Sequence, residues 1–314
     1  MSDPAAIPPK SSDAPAAAPP RPQQLDPRAL RQQASRLARS ETPPWLHAEV
    51  AQRMAERLAI IKQQPRRVLQ WSAFLGAGGA ALASAYPQAE QLCVEPLPAL
   101  LARSQATHKR SWLRTLQGRS RTRVLAAGEA LEAPVELVWA NMALHGCVDP
   151  PAVLAEWQAA LAVDGFLMFS CLGPDSFVEL RPLYAQLGWG RPAPDWWDMH
   201  DIGDLLVAAG FADPVMDQER ISLSWGEPEA LLRDLRALGG NLAPQRFAGL
   251  RGRTWRAALL QALERLRGSD GRLRLSLEIV YGHAFKPAPK PRLQAETQVS
   301  LDQMREMVRR PHKR

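Results

Sequence analysis

The sequence predicts an α/β fold in which helices cover both faces of a mostly parallel sheet. Between Arg67 and Pro96 a buried strand, a glycine-rich turn, a helix and a second strand follow one another. Strands and helices then alternate to about residue 212, as they do when parallel strands are joined by helical crossovers. The chain has 314 residues and is 46% hydrophobic, so it can bury the core that such a sheet requires.

Composition divides the chain into four parts. The first is rich in Pro, Ala and Gln, so we expect it to be disordered, with at most a nascent helix around residues 30–37. The second has apolar residues spaced from Leu46 to Ile61 as in a helix that packs on the core. The third is the sheet domain, with helices inserted before its last strand, and the fourth is a basic tail. The parts are residues 1–40, 41–66, 67–287 with the insertion at about 226–268, and 288–314.

Within the sheet domain, apolar runs and turn residues predict the individual elements. The predicted strands are 67–71, 92–95, 124–126, 135–140, 166–171, 215–223 and 272–285. Five helices are predicted at 80–86, 97–104, 199–209, 228–238 and 254–266. Two more are predicted between these: one begins at Pro150 or Pro151 and ends at 161, and one is capped at Ser176 and ends at 187.

Composition also limits the compartment and the chemistry. No run of eighteen apolar residues exists, and the N-terminal segment lacks the apolar region of a signal peptide, so we expect a cytoplasmic protein. Cys93, Cys147 and Cys171 lack CxxC spacing, which predicts free thiols in a reducing compartment. The six histidines show no metal-ligand spacing, so no metal site is expected.

The positive charge is concentrated locally. The net charge is +7, and the segment 103–123 contains seven Lys or Arg residues and no acidic residue. Two interpretations stay open: a solvated basic surface, or a docking face for an acidic partner, because complementary charge raises encounter rates. The sequence contains no nucleic-acid recognition module, so nucleic acid is not the expected partner.

The stretch from Arg67 to Pro96 has the layout of a nucleotide-type cofactor site on a βαβ unit. Glycines let a turn pass close to a ligand, and a helix N-terminus favours negative charge. Glu95, at the end of the second strand, is suited to accept hydrogen bonds from a ribose diol. The turn nevertheless contains bulky residues where small ones are usual. They are Trp71, Phe74 and Leu75.

Three stretches later in the chain, from Val135 to Phe177, Trp197 to Asp217 and Leu277 to Pro287, resemble the BioC group of methyltransferases. The resemblance covers about residues 45–287. It implies a Rossmann-like class I fold, with a seven-stranded sheet whose last strand is antiparallel, and S-adenosylmethionine as cofactor. It also implies methylation of the free carboxylate of malonyl-acyl carrier protein in biotin precursor synthesis, with the basic stretch 103–123 facing the acidic carrier.

The resemblance also shows where the chain departs from the family. The first motif of the family, VLDLGCGTG, matches the run from Val68 to Gly76, where only the last glycine and the leading apolar residues keep their type. Glu95 keeps the ribose-binding acid. The departures are Gln70 for the motif's acid, Ser72 and Phe74 for its first two glycines, and Ala127 for the acid near the adenine. Two hypotheses follow: an active methyltransferase, or an inactive pseudo-methyltransferase that serves as a binding or assembly module.

The candidate site residues follow from the βαβ layout and the family resemblance together. For the cofactor they are Ser72, Gly76, Gly78, Glu95 and Asn141, and for the substrate His145 and His200. Asn141 and His145 follow a buried strand at the edge where ligands bind, although both could simply cap the next turn. His200 faces the pocket or caps a helix. Transfer from a sulfonium needs alignment more than a general base, so the absence of an obvious acid or base does not count against this activity, and the catalytic residues stay open.

Overall fold

The fold is built on one seven-stranded sheet. The computed structural model describes residues 24–110, 122–247, 249 and 251–289. Its strands are β1 (Arg67–Trp71), β2 (Glu90–Glu95), β3 (Thr122–Ala126), β4 (Val135–Ala140), β5 (Leu161–Leu172), β6 (Ala212–Trp225) and β7 (Leu273–Phe285). Their order in the sheet is β3-β2-β1-β4-β5-β7-β6, and β7 alone runs antiparallel to its neighbours. The predicted fold class is therefore confirmed.

Among the residues that the structure describes, the helices from β1 onward agree with the prediction in number and order, apart from one short addition in the glycine turn. They are α1 (Pro27–Leu37), α2 (Trp45–Leu58), α3 (Ala73–Gly76), α4 (Gly79–Ala85), α5 (Pro98–Arg110), α6 (Pro150–Ala160), α7 (Leu180–Gln186), α8 (Met199–Ala208), α9 (Pro228–Leu238) and α10 (Arg253–Leu263). The addition is α3, and α5 extends six residues beyond its predicted end at Ser104.

The parallel strands are buried on both faces because alternate side chains enter two separate cores. Leu69 and Val138 belong to the cluster covered by α6 and α8. Val68 and Leu137, one residue earlier on the same strands, belong to the cluster covered by α2 and α4. Each fully buried leucine or valine contributes roughly 1.5–3 kcal/mol, so both helix layers are held firmly to the sheet. The apolar face of α2 is the predicted one. Its buried members are Leu46, Val50, Met54 and Leu58.

The helical insertion has a small core of its own. Helices α7, α9 and α10 pack around Trp225 and Leu273, which lie at the ends of β6 and β7. Leu231 of α9 and Leu263 of α10 are almost fully buried there. Because β6 and β5 are parallel, this cluster lies at the carboxyl edge of the sheet, beside the ends of the other strands. The insertion therefore forms one side of whatever binds at that edge.

Residues 27–37 form a capped and packed helix, where the sequence predicted disorder with at most a nascent helix around residues 30–37. The side chain of Asp26 caps this helix by accepting hydrogen bonds from the backbone N–H groups of Arg28 and Ala29. Asp26 also forms an ion pair with Arg246, and its N–H donates to the carbonyl of Leu242 at 2.9 Å. Composition indicated only a nascent helix here and not a packed one, because the buried face is made partly of alanine. The buried residues are Ala29, Ala34 and Leu37.

Several predictions concern residues outside the described ranges. They include most of the basic tail 288–314, residues 1–23 and residues 111–121 of the basic stretch. The four-part division of the chain stays a prediction. All three cysteines are thiols. In the part of the chain that is described, no helix combines the length and apolarity needed to cross a membrane.

Candidate active site

Two adjoining cavities open at the carboxyl edge of the sheet. The small cavity, of about 350 Å³, lies where β1, β2 and β4 end, and its wall includes Ser72, Pro96 and Met142. The large cavity, of about 740 Å³, lies between the end of β5 and the helical insertion. Helix α1 contributes to both walls. The residues shared by the two cavities are Gln33, His47, Met142, His145, Leu238 and Leu242.

The glycine turn does not block the small cavity. Ser72 adopts a left-handed conformation (φ 53°), and its carbonyl accepts a hydrogen bond from the N–H of Gly76 at 2.7 Å. Phe74, which replaces a motif glycine, lies in neither cavity wall. Its ring is instead covered by the guanidinium of Arg103, 3.7 Å from the ring centroid. The bulky substitution is therefore accommodated beside the site, outside the space that a cofactor would need.

Gly76 and Gly78 serve the packing of the turn. Neither lines the small or the large cavity, which differs from the prediction that they contact the cofactor. A Cβ on Gly78 would lie 2.9 Å from Cδ1 of Trp139, so the absence of a side chain lets the turn pack on this buried indole. Within the glycine-rich stretch, the wall of the small cavity comes from Trp71, Ser72 and Leu75.

Glu95 has one carboxylate oxygen held by the protein and one that is free. Oε1 accepts hydrogen bonds from the N–H of Phe74 at 2.9 Å and from the hydroxyl of Ser104 at 2.8 Å. Oε2 is buried and has no hydrogen-bond partner among the described residues. Burial raises the pKa of Glu95, while the bonds from Phe74 and Ser104 and the charge of Arg103 lower it. Glu95 itself lines neither cavity, but the next residue, Pro96, lies in the wall of the small one, so Oε2 is an unsatisfied buried acceptor beside that cavity and fits the hydroxyls of a ribose.

Asn141 is a structural residue in this geometry. Its side chain is fully buried, and its amide donates to the carbonyls of His47 at 2.7 Å and Gly76 at 2.8 Å. Its Oδ1 accepts a hydrogen bond from the hydroxyl of Ser170 at 2.7 Å. These bonds join α2, the glycine turn, β4 and β5. The prediction that the Asn141 side chain binds the cofactor is not supported, because its donors are already used.

His47 and His145 meet at the boundary between the two cavities. Their rings form an edge contact with centroids 6.5 Å apart, and Trp196 lies 6.2 Å from His145 on the other side. Nδ1 of His47 lies 2.9 Å from the carbonyl of Leu75, and since a carbonyl only accepts, this nitrogen carries the proton. Sequence reasoning missed His47 because nothing local distinguishes it. The only signal was its position on the helix that was expected to pack on the core.

Both histidines are neutral at neutral pH. Burial lowers the pKa of His47 to about 4, against a smaller opposing effect of its bond to Leu75. Burial, with a contribution from His47, lowers the pKa of His145 to about 3. The boundary between the cavities therefore carries no positive charge, and a cationic ligand bound there is not repelled.

These pKa values predict a loss of stability in mild acid. The unfolded chain takes up protons on both histidines below about pH 6.5, whereas the folded chain does not until about pH 4. The contribution of the two neutral histidines to the free energy of unfolding is therefore fully present above pH 6.5 and is lost as the pH falls below that value. We expect His47 alone to account for about 2 kcal/mol of lost unfolding free energy between pH 7 and pH 5. Urea unfolding at both pH values measures this, and His47→Gln should flatten the profile. An unchanged profile would contradict the assignment.

His200 lies apart from the site. It sits on the exposed face of α8 and lines neither cavity, so the structure does not bring it to the site, and its binding of substrate stays a prediction. His145 is placed in both walls. The sequence could not separate these two histidines because each follows a buried segment, and only the tertiary packing decides which one faces the cavities.

The two cavities have opposite charge. The charged side chains lining the small cavity, among the described residues, are the acids Asp149 and Glu156. The large cavity has one acid, Glu229, and five arginines. These arginines are Arg36, Arg233, Arg236, Arg251 and Arg256. The pair of cavities is thus suited to a cationic ligand on one side and an anionic ligand on the other.

The sheet order, with cavities at its carboxyl edge, is that of the Rossmann-like fold of class I methyltransferases. A putative methyltransferase from Bacillus halodurans matches the structure with a TM-score of 0.50 at 13% identity, covering 76% of this chain and 100% of that one. The YcgJ protein of Bacillus subtilis matches with a TM-score of 0.51 at 12% identity, covering 75% and 98%. At these identities the likeness shows the fold alone. No family model matches the chain.

Curated relatives identify the family. The chain is 40% identical over 272 residues to a malonyl-[acyl-carrier protein] O-methyltransferase of Gallionella capsiferriformans, covering 85% of this chain and 93% of that protein. It is 42% identical over 252 residues to one of Laribacter hongkongensis, covering 79% and 84%. The chain belongs to the malonyl-[acyl-carrier protein] O-methyltransferase family. The resemblance to the BioC group is confirmed, and nothing in the comparisons favours the inactive alternative.

Proposed function

We propose that the protein transfers a methyl group from S-adenosylmethionine to the free carboxylate of a malonyl group carried by acyl carrier protein. The observation that carries this proposal is the opposite charge of the two cavities. The donor is a sulfonium cation and the acceptor is a carboxylate anion. The proposal also agrees with the names of the relatives and with the implied role in biotin precursor synthesis.

The small cavity is the proposed donor site. Oε2 of Glu95 is the acceptor for the ribose diol, since it is buried and lacks a partner among the described residues. Trp71, Ser72 and Leu75 would bound the rest of the cofactor from the side of the glycine turn. When bound, S-adenosylmethionine supplies an electrophilic methyl group on sulfur. The acids Asp149 and Glu156 give this cavity the charge that suits a sulfonium.

The shared wall at His47 and His145 is the proposed place of transfer. A displacement at a methyl carbon needs the nucleophile, carbon and leaving group in line, so the protein acts by holding two ligands against one boundary. The acceptor is already ionised at neutral pH and loses no proton, so neutral histidines are sufficient. Trp196, packed on His145, covers the boundary and helps to exclude water, which would otherwise solvate the carboxylate.

The arginine-bearing mouth of the large cavity is the surface we propose for the acidic carrier. Arg233, Arg236 and Arg256 are exposed there. In the basic stretch 103–123, by contrast, two of the seven cations are already engaged. Arg103 donates to the carbonyls of Ala38 and Glu41, and Arg123 pairs with Glu132 at 2.8 Å. The predicted docking role of that stretch therefore has less support than the mouth.

The decisive experiment is a transfer assay. Purified protein is incubated with S-adenosylmethionine and malonyl-acyl carrier protein, and the product is analysed by mass spectrometry. We expect a methyl ester on the malonyl group, and none on a matched carrier whose malonyl carboxylate is replaced by an amide. No ester, together with no binding of S-adenosylmethionine at millimolar concentration by calorimetry, would contradict the proposal.

A further inference from the structure

One arginine in the large cavity has a distinctive environment. The guanidinium of Arg251 lies over two aromatic rings, with its Cζ 4.2 Å from the centroid of Trp255 and 4.4 Å from that of Phe247. Its Nη2 donates to the carbonyl of Trp189 at 2.8 Å. Stacking holds the plane of a guanidinium and leaves its edge available for hydrogen bonds. Arg251 is therefore oriented by the protein before any ligand arrives.

The available edge of Arg251 has no partner of its own. Its Nη1 is buried without a hydrogen bond among the described residues, and so are the indole N–H groups of Trp255 and Trp196. All three residues line the large cavity. No described carboxylate forms an ion pair with Arg251, and burial lowers its pKa. Buried donors without acceptors are costly, so a cavity that keeps three of them is suited to a ligand rich in acceptor oxygens.

Arg251 does not line the small cavity, in contrast to His47 and His145. A ligand group bound by Arg251 thus lies in the part of the molecule that takes the acyl substrate. The inference rests on the function proposed above, in which the substrate is a malonyl group on acyl carrier protein. This substrate has two anionic oxygen groups: the malonyl carboxylate, and the phosphate of the prosthetic arm that carries the malonyl group. A guanidinium edge recognises either group by charge-assisted hydrogen bonds.

We propose that Arg251 binds an oxyanion of the acyl substrate through its Nη1 edge, with the Trp255 indole as a second donor. The residue acts in substrate binding and has no role at the donor site. It accordingly sets the affinity for the acyl substrate and leaves the affinity for S-adenosylmethionine unchanged. This assignment separates Arg251 from Arg233, Arg236 and Arg256, which are exposed at the mouth.

The test uses binding, which does not depend on turnover. Malonyl-pantetheine and malonyl-4′-phosphopantetheine, a pair that differs only in the phosphate, are titrated by calorimetry into the full-length protein and into Arg251→Gln. We expect the variant to bind one or both probes about 10- to 100-fold more weakly, the usual range for a lost hydrogen bond to a charged group. Arg251→Lys should recover part of the affinity. Arg253→Gln, an exposed arginine that lines neither cavity, is the matched control.

Each outcome has a distinct meaning. Weakening confined to the phosphorylated probe identifies the phosphate as the bound group, and weakening of both identifies the carboxylate. Unchanged affinity for both probes in Arg251→Gln, or no binding of either by the parent protein, overturns the proposal. S-adenosylmethionine affinity and the melting temperature are measured on every variant, because a folding defect would lower them as well. Failure of methyl transfer with intact probe binding would count against the proposed function alone.

Discussion

Glu95→Ala is expected to weaken S-adenosylmethionine binding by about 10- to 100-fold, because a ribose diol loses charge-assisted hydrogen bonds to a carboxylate. The free Oε2 is the basis of this expectation, since Oε1 is already occupied by Phe74 and Ser104. Calorimetric titration with S-adenosylmethionine measures the effect. Glu95→Gln should fall between the parent protein and the alanine variant, because an amide keeps one acceptor oxygen but no charge.

The control for this experiment is Glu129→Ala. Glu129 follows β3 much as Glu95 ends β2, but it is exposed, and its Oε2 already accepts a hydrogen bond from the N–H of Ala126. Its removal should leave the affinity for S-adenosylmethionine unchanged. Equal affinities in Glu95→Ala and the parent protein, with unaltered melting, would show that the carboxylate does not hold the ribose and that the cofactor lies elsewhere.

Asn141→Ala is expected to lower the free energy of unfolding by about 2–4 kcal/mol. The substitution removes three buried hydrogen bonds and leaves the carbonyls of His47 and Gly76 without their donor. Denaturant unfolding at pH 7 measures the change. At a temperature where the variant is folded, its affinity for S-adenosylmethionine should stay within a few fold of the parent value, because the donors of the side chain and its acceptor oxygen are already bonded within the protein.

Asn241→Ala is the comparison for Asn141. Asn241 makes two hydrogen bonds, to the carbonyl of Arg191 and from the N–H of Ala243, at a site that is less buried. We expect it to cost about 1 kcal/mol or less, since water can replace its bonds. A stable Asn141→Ala variant that loses cofactor binding would reverse the present assignment and restore the role predicted from the sequence.

The sheet could be predicted because its signals are local. Val135–Ala140 and Pro228–Leu238 have the bounds that the apolar pattern and flanking residues predict. The alternation of strands and helices then determines most of the topology, because crossovers between parallel strands have one hand. Helix α1 could not be predicted in this way. Its buried alanines and Asp26 cap become meaningful only through contacts with the insertion, more than two hundred residues away in the chain.

The site was only partly predictable for the same reason. Glu95 follows from its place at the end of the second strand of a βαβ unit. The direction of the Phe74 ring depends on its contact with Arg103. The roles of His47 and Asn141 depend on hydrogen bonds that form only where α2 packs against the glycine turn. The charge of the large cavity comes from arginines between residues 36 and 256. No sequence window contains them together, so no local pattern could reveal the separation of charge.

Helix α1 has a practical consequence for any shortened form of the protein. Leu30, Ala34 and Leu37 line the small cavity, and Gln33 lies in the wall of both cavities. A chain begun at residue 41, where the predicted N-terminal helix segment starts, would keep every strand of the described sheet and the described loops at its carboxyl edge. It would also let bulk water reach the boundary where a desolvated carboxylate must meet the methyl group. The shortened protein would still show a thermal unfolding transition, but its reaction site would no longer exclude water, as methyl transfer to a carboxylate requires.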